Sequence, residues 1–254
     1  MWFFNLVRHD YKYLFYELNM KNLALKNVTI VIPTYNSEKT INSTLESIYK
    51  NFENIIIVDA GPNNIKSKIS KKYKIKFFRS SKGRGTQLLL GANKVSTNWI
   101  FFLHSDTILN KKNIINIKEF VSNDLNYFKA AAFKIKFDKN NILSNALMVI
   151  ANFRSKYFKL PYGDQGLLIS RKFYKKIGGY KNIPIMEDID IIHKIGFENI
   201  QILNSHIITS SIRYETQGWL IRPIINLYCL ILYFCNYDIN KINKIYLRNK
   251  NGKS

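Results

Sequence analysis

The chain has 254 residues, with 39 Lys and Arg against 17 Asp and Glu, for a formal net charge of +22. With 46% hydrophobic and 14% aromatic residues, it is neither a low-hydropathy disordered chain nor a series of membrane spans. The length suits one α/β domain or two small ones, with ample chain for a core.

A positive surplus of this size points to a polyanion, an anionic membrane surface or a phosphorylated substrate. The chain is also rich in Ile, Lys, Asn, Phe and Tyr, a bias that A- and T-rich codons impose whatever the function. Its lysines are scattered (Lys21, Lys26, Lys66, Lys111, Lys112) and no zinc-finger, KH, RRM or basic-zipper pattern occurs, so no specific nucleic-acid partner is expected. Cys229 and Cys235 share one apolar segment without a CxxC or Cys/His companion. That arrangement argues against a disulfide framework or structural zinc and for a reducing cytosol.

Residues 1–27 form an N-terminal extension with an aromatic stretch that lacks the basic and apolar regions of a signal peptide. Two readings stand. The true start is Met20, or Trp2, Phe3, Phe4, Phe15 and Tyr16 line an interfacial helix. From Val28 onward, short β-branched runs alternate with amphipathic stretches, which predicts βαβ units and a mostly parallel, Rossmann-like sheet flanked by helices. Strands are expected at 28–33, 55–58 (ending at Asp59), 75–79 and 99–103. A helix with Ile41, Leu45 and Ile48 on one face, capped by Asn36 or Ser37, follows the first strand. A second helix runs from the turn Lys82-Gly83-Arg84-Gly85 through Leu88, Leu89, Ala92 and Val95. Farther on, a strand is expected at 128–137, a helix at 142–157 and a strand at 167–170. Gly178-Gly179 closes the next helix, and Met186-Glu187-Asp188 opens another that buries Ile189, Ile192 and Ile195.

Thr34, Asp59 and Asp106 all fall just past the ends of predicted parallel strands, where open α/β sheets bind ligands. An Asp in the position of Asp106 can hold a divalent cation while phosphate oxygens and water fill the other sites, or it can cap the next helix. Asp59 can bind a nucleoside or close a turn with Gly61 and Pro62. The Gly83–Gly85 turn offers N–H groups and a guanidinium to a diphosphate, though it has neither Walker nor GxGxxG spacing. Glu187 and Asp188 favour a helix dipole, or supply a general base for a hydroxyl.

Taken in order, these segments resemble the inverting glycosyltransferases of family 2, which have the GT-A fold. The resemblance rests on Val31-Ile32-Pro33-Thr34-Tyr35-Asn36, Val58-Asp59-Ala60-Gly61, Gly83-Arg84-Gly85-Thr86-Gln87 and Phe102-Leu103-His104-Ser105-Asp106-Thr107, then on Tyr162-Gly163-Asp164-Gln165-Gly166 and Met186-Glu187-Asp188. It spans residues 28–219. Several blocks are similar to a small bacterial subgroup labelled arsenosugar-biosynthesis or carotenoid-acid glycosyltransferases. The resemblance implies a hexosyltransferase with a nucleotide-sugar donor and a divalent metal, Mn²⁺ or Mg²⁺. Thr34, Asp59, Arg84 and Arg213 would bind the donor, with Asp106 and His104 on the metal. Asp188 would act as general base with Glu187 in support, and Asp164 and Gln165 would line the acceptor side. His104 stands where the family's Asp-x-Asp has its first acidic residue, and a neutral imidazole suits Mn²⁺ better than Mg²⁺.

The expected organisation is an extension at 1–27, a catalytic domain at 28–218, and an apolar helix with a basic tail at 219–254. The run 224–235 is shorter than the about 20 residues needed to cross a bilayer. It packs as a core helix, or it lies at the membrane interface of a peripheral cytoplasmic enzyme whose acceptor is small or lipid-like. Two other readings remain: a sugar-phosphate nucleotidyltransferase, and a non-catalytic basic membrane protein on the same scaffold.

Overall fold

The computed structural model describes residues 25–63, 65–69 and 73–248. The expectations for Met20 and the aromatic extension lie outside these residues.

The first half builds four parallel strands. β1 (Val28–Thr34) is buried along its whole length. It pairs in parallel with β2 (Asn54–Asp59) on one side and β4 (Trp99–Phe102) on the other, and β2 pairs with β3 (Lys76–Arg79). Because strand side chains alternate between faces, Ile30 and Ile32 join one core layer while Val31 joins the other. The first layer is closed by α1 (Ile41–Ile48), whose buried residues Ile41, Thr44, Leu45 and Ile48 follow the helical spacing. No side chain caps α1, so neither Asn36 nor Ser37 serves as its N-cap; the Ser37 carbonyl instead accepts from the Thr40 and Ile41 amides in a preceding turn. The second layer receives α2 (Arg84–Asn93). At Gly91 a Cβ would sit 2.4 Å from Val31 Cγ1, so the helix lies closer to the sheet than any side chain there would allow.

After the two-residue β5 (Thr107–Ile108) and α3 (Lys111–Val121), the sheet continues with β6 (Ala130–Phe137), β7 (Leu167–Ser170) and β8 (Ile200–Thr209). Its order is β3-β2-β1-β4-β7-β6-β8-β5. β7 runs antiparallel to β4 and β6, β5 antiparallel to β8, and β6 parallel to β8. The eight strands form one mixed, mostly parallel sheet. β7 covers only Ala130 and Ala131 of β6. Beyond it, Gln165 Nε2 donates to the Phe133 carbonyl, and Asn152 pairs with both backbone groups of Ile135. Asn152 belongs to α4 (Ile142–Phe158), which thereby takes the place of a missing strand neighbour.

The short helix α5 (Arg171–Lys176) leads to α6 (Glu187–Ile195), which buries Ile189, Ile191, Ile192 and Ile195. The chain ends in α7 (Ile212–Gln217), α8 (Ile221–Phe234) and α9 (Ile239–Arg248). α8 is held to α6 through Tyr233 Oη, 3.2 Å from Asp190 Oδ1, and Asp190 is itself paired with Lys181 and Lys194. Cys229 and Leu230 are buried, but Ile224, Leu227, Tyr228, Ile231 and Phe234 are exposed. One face of this segment packs, as the core-helix reading expects, and the other faces outward. No helix among the described residues is long and apolar enough to cross a membrane.

Candidate active site

Parallel register brings the ends of β1, β2 and β3 together, with Thr34 opposite Asp59 and Asp59 opposite Arg79. Asp59 is buried and fully engaged. Its Oδ1 accepts from Thr34 Oγ1 at 2.8 Å and from the Gly61 amide at 3.1 Å, while its Oδ2 pairs with Arg79. Arg79 also donates to the Gly61 carbonyl at 2.7 Å. Gln87, on the first turn of α2, donates to the carbonyls of both Thr34 and Val58. Thr34 and Asp59 therefore occur together as expected, but within a braced strand-end cluster. Arg79 completes that cluster. The sequence reading had passed over it, although its place at the end of the third strand is the same signal that marks the other two.

A separate cavity lies beside this cluster, beyond the end of β4. Its wall includes Arg84, His104, Asp106, Asp164, Glu187, Asp188 and Arg213. The topology explains the convergence. β1 and β4 are neighbours whose connections leave in opposite directions, and ligand clefts form at such switch points. The loops leaving the two strands are tied by Ser37 and Ser105, whose hydroxyl oxygens lie 2.8 Å apart. α6 enters from the far side. Met186 takes the left-handed conformation (φ 63°, ψ 19°), which turns the chain so that the first residues of α6 face the cavity. Such a conformation is uncommon for a bulky residue and clusters at functional sites.

The two acidic residues of α6 have different surroundings. Glu187 is 4% exposed and pairs with Arg84, 3.4 Å from carboxylate to guanidinium. Burial pushes its pKa up to about 7 against the pull of Arg84, and the neighbouring Asp188 adds to the rise. Asp188 is the more accessible. Its Oδ2 accepts the Gly163 amide at 3.0 Å, and its Oδ1 accepts the Ile189 amide at 2.9 Å, so the carboxylate is fixed by two backbone donors. A Cβ at Gly163 would lie 2.9 Å from His104 Nε2 and 3.5 Å from Asp188 Oδ2. Only a glycine lets this loop approach both groups.

Burial, with Arg84 and Arg213 nearby, holds the His104 imidazole well below its usual pKa, so it is neutral and able to act as a metal ligand. Burial raises the Asp106 carboxyl, opposed by the same two arginines. His104 and Asp106 thus supply one imidazole and one carboxylate. No cluster of three or more His, Cys, Asp or Glu side chains that could hold a metal occurs among the described residues. Arg213 reaches the cavity from α7 and donates to Tyr246 Oη at 3.1 Å. Tyr246 of α9 and Tyr214 of α7 are further lining residues that the sequence reading did not single out.

Asp164 lines the cavity, with its pKa raised by burial. Gln165 does not, and its expected place on the acceptor side is corrected. It is fully buried, its Oε1 accepts from Ser155 Oγ, Arg154 and the Tyr162 amide, and its Nε2 donates to the Phe133 carbonyl of β6. Its hydrogen bonds are made inside the protein, so it is a brace for the loop that carries Gly163 and Asp164.

Residues 29–180 match the family described as Glycosyl transferase family 2. Among solved structures, residues 1–349 of TarS from S. aureus superpose with a TM-score of 0.55 at 17% identity, covering 89% of this chain and 72% of that one. A mannosyltransferase, PcManGT from Pyrobaculum calidifontis, in complex with GDP-Man and Mn²⁺, gives 0.60 at 13% identity, with coverages of 88% and 68%. Glucosyl-3-phosphoglycerate synthase from Mycobacterium tuberculosis, in complex with Mn²⁺, UDP-glucose and phosphoglyceric acid, gives 0.57 at 16% identity, with coverages of 85% and 82%. No match to this chain occurs among the curated proteins compared. At such identities the structural likeness speaks for the fold, and the family match over more than half of the chain speaks for the lineage. The chain belongs to glycosyl transferase family 2 and is a glycosyltransferase.

Proposed function

We propose that the protein moves a sugar, with inversion, from a nucleoside-diphosphate sugar to an acceptor hydroxyl or carboxyl. The observation that carries this reading is the juxtaposition in one cavity of an anchored carboxylate, Asp188, with two guanidiniums, Arg84 and Arg213, and the His104/Asp106 pair. Asp188 is the base: it removes the acceptor proton while the acceptor oxygen bonds to the anomeric carbon. The bond from that carbon to the diphosphate oxygen breaks, and the nucleoside diphosphate leaves with the electron pair. Arg84 and Arg213 offset the charge that develops on the diphosphate. Glu187 sets the position of Arg84 through their ion pair. Thr34, Asp59 and Arg79 form the shelf for the nucleoside.

The nucleotides bound in the similar solved structures, UDP in TarS among them, and the Mn²⁺ in two of them, support the same reading here. His104 and Asp106 would hold a divalent ion, one through an imidazole and the other through a carboxylate. A neutral imidazole favours Mn²⁺ over Mg²⁺. The ion would stabilise the leaving diphosphate electrostatically. Residues 28–218 are the catalytic unit, and residues 219–254 serve the acceptor side. The protein works at the cytoplasmic face of a membrane, a placement supported by its basic charge and by the outward apolar face of α8.

The test is release of nucleoside diphosphate from a panel of UDP-, GDP- and dTDP-sugars, with Mn²⁺ or Mg²⁺, by the wild type and by Asp106→Ala. Metal-dependent release from one donor, lost in the variant, is the expected result. Failure of every donor to bind by calorimetry would refute the reading.

A further inference from the structure

α4 is built inside out. Of its seventeen residues only Ser144 and Ser155 are buried, and Asn152 faces the sheet to pair with Ile135. Ile142, Val149, Ile150, Phe153, Tyr157 and Phe158 are all exposed. A helix with its polar residues inward and its apolar ones outward has a second apolar neighbour. The outward face of α8 stands opposite.

Between the two helices runs a groove of about 850 Å³. Leu147 and Ile150 of α4 form one wall, Leu227 and Leu230 of α8 the other, and Ile135 and Phe137 the floor. The volume is in the range of sites that take a whole small ligand. The groove adjoins the catalytic cavity: Phe137, Tyr162, Asp164, Tyr214 and Asn226 line both.

At that junction two buried oxygens, Asp164 Oδ1 and Asn226 Oδ1, have no hydrogen-bond partner among the described residues. Buried polar atoms are ordinarily satisfied. Both are acceptors, so the group that satisfies them donates. The nearby Arg154 is already engaged with the Leu160 carbonyl, Gln165 Oε1 and the face of Tyr162. Lys156 of α4 is exposed and Lys159, just past its end, lines the groove, so the α4 side of the rim is suited to an anionic lipid surface.

We propose that the acceptor is a neutral, hydroxyl-bearing amphiphile. Its hydrocarbon chain lies between α4 and α8, and its head donates to Asp164 and Asn226 while presenting a hydroxyl to Asp188. This rests on the reading of Asp188 as the base and narrows that reading from hydroxyl or carboxyl to hydroxyl.

The experiment is calorimetric binding of n-alkyl β-D-glucosides from butyl to decyl, each below its micelle-forming concentration, to the full chain. Affinity is expected to rise between about twofold and fourfold per methylene, the upper figure being full burial of a CH₂. Ile150→Glu and Leu227→Glu alter exposed positions that the folded core does not use. Both variants are expected to lose the chain-length dependence while binding the nucleotide sugar as the wild type does.

Affinity independent of chain length, or a dependence that survives in both variants, would overturn the proposal. Decanoate binding as tightly as decyl glucoside would overturn the assignment of the head. A concentration-dependent dimer that Leu227→Glu abolishes, without glucoside binding, would assign the groove to a second copy and refute the proposal. Binding of neutral phosphatidylcholine vesicles with no glucoside binding would refute it in favour of a membrane contact. Because donor binding is read separately, a chain that binds the alkyl series and no nucleotide sugar would refute the proposed function and leave the groove assignment standing.

Discussion

Gly163→Ala adds one methyl group at the point where three parts of the site meet. Gly163 is outside the left-handed region, so its backbone conformation is open to alanine and the effect is one of space. The new Cβ would lie 2.9 Å from His104 Nε2, 3.4 Å from its Cε1 and 3.5 Å from Asp188 Oδ2. The first distance is far inside contact, so either His104 swings out or the 163–165 turn retreats and stretches the 3.0 Å bond from the Gly163 amide to Asp188. Overpacking of this kind costs about 1–3 kcal/mol, which lowers the melting temperature by a few degrees in a domain of this size. Displacing the proposed base or metal ligand by about 1 Å reaches about 10²-fold in rate. The assay is nucleoside diphosphate release from the donor identified by the panel, alongside a thermal melt. A variant that melts with the wild type and turns over within twofold of it would show that neither His104 nor Asp188 works at the position assigned.

Two other substitutions test the surroundings. The folded pKa of Glu187, about 7, lies above its ordinary 4.5, so the folded chain holds an extra proton between those values. Stability from this group is therefore full below about pH 4.5 and is lost as pH rises to about 7, by up to about 3 kcal/mol. Denaturant titrations across that window should show the decline in the wild type and a shallower one in Glu187→Gln. Equal slopes would mean that Glu187 is not desolvated as described. Gln165→Ala leaves the Phe133 carbonyl, Ser155 Oγ and the Tyr162 amide without their buried partner, a loss of about 2–4 kcal/mol. An unshifted melting temperature would contradict the bracing role and return Gln165 to the acceptor surface.

The first half of the sheet was legible because its signals are local. The runs at β1, β2 and β4 are continuously apolar, the helical spacing of Ile41, Leu45 and Ile48 is plain, and each strand ends at a marked residue. β7 was bounded to the residue, and α4 to within one. The reading passed over α3 and β8 although both carry usable patterns. α3 has a capping box from Asn110 to Asn113 ahead of Ile114, Ile117 and Phe120. β8 alternates from Leu203 through Ser205 and Ile207 to Thr209, but the polar Ser205 and Thr209 stand on its buried face and weaken the hydrophobic period. Arg79 escaped because a charged residue at a strand end reads as a solvated terminus until its register with Asp59 is known. Gln165 misled for the opposite reason. Its position in Gly163-Asp164-Gln165-Gly166 suggested a ligand-facing loop, while its burial depends on contacts with β6 and α4 that lie 32 and 10 residues away in sequence. Which face of α4 is buried is likewise set by tertiary contacts. Composition alone would have turned its apolar side to the core.

If Asp188 is the base of a sugar transfer, Asp188→Asn removes the proton acceptor and little else. Asparagine keeps the shape and can still accept the Gly163 and Ile189 amides, but it cannot take a proton. With the donor that the panel identifies and decyl glucoside as acceptor, single-turnover transfer should fall by about 10²–10⁴-fold. Donor affinity by calorimetry should stay within about threefold of the wild type, well inside the tenfold that 1.4 kcal/mol represents. Transfer at the wild-type rate would contradict the assignment of the base, and with it the mechanism built on that residue.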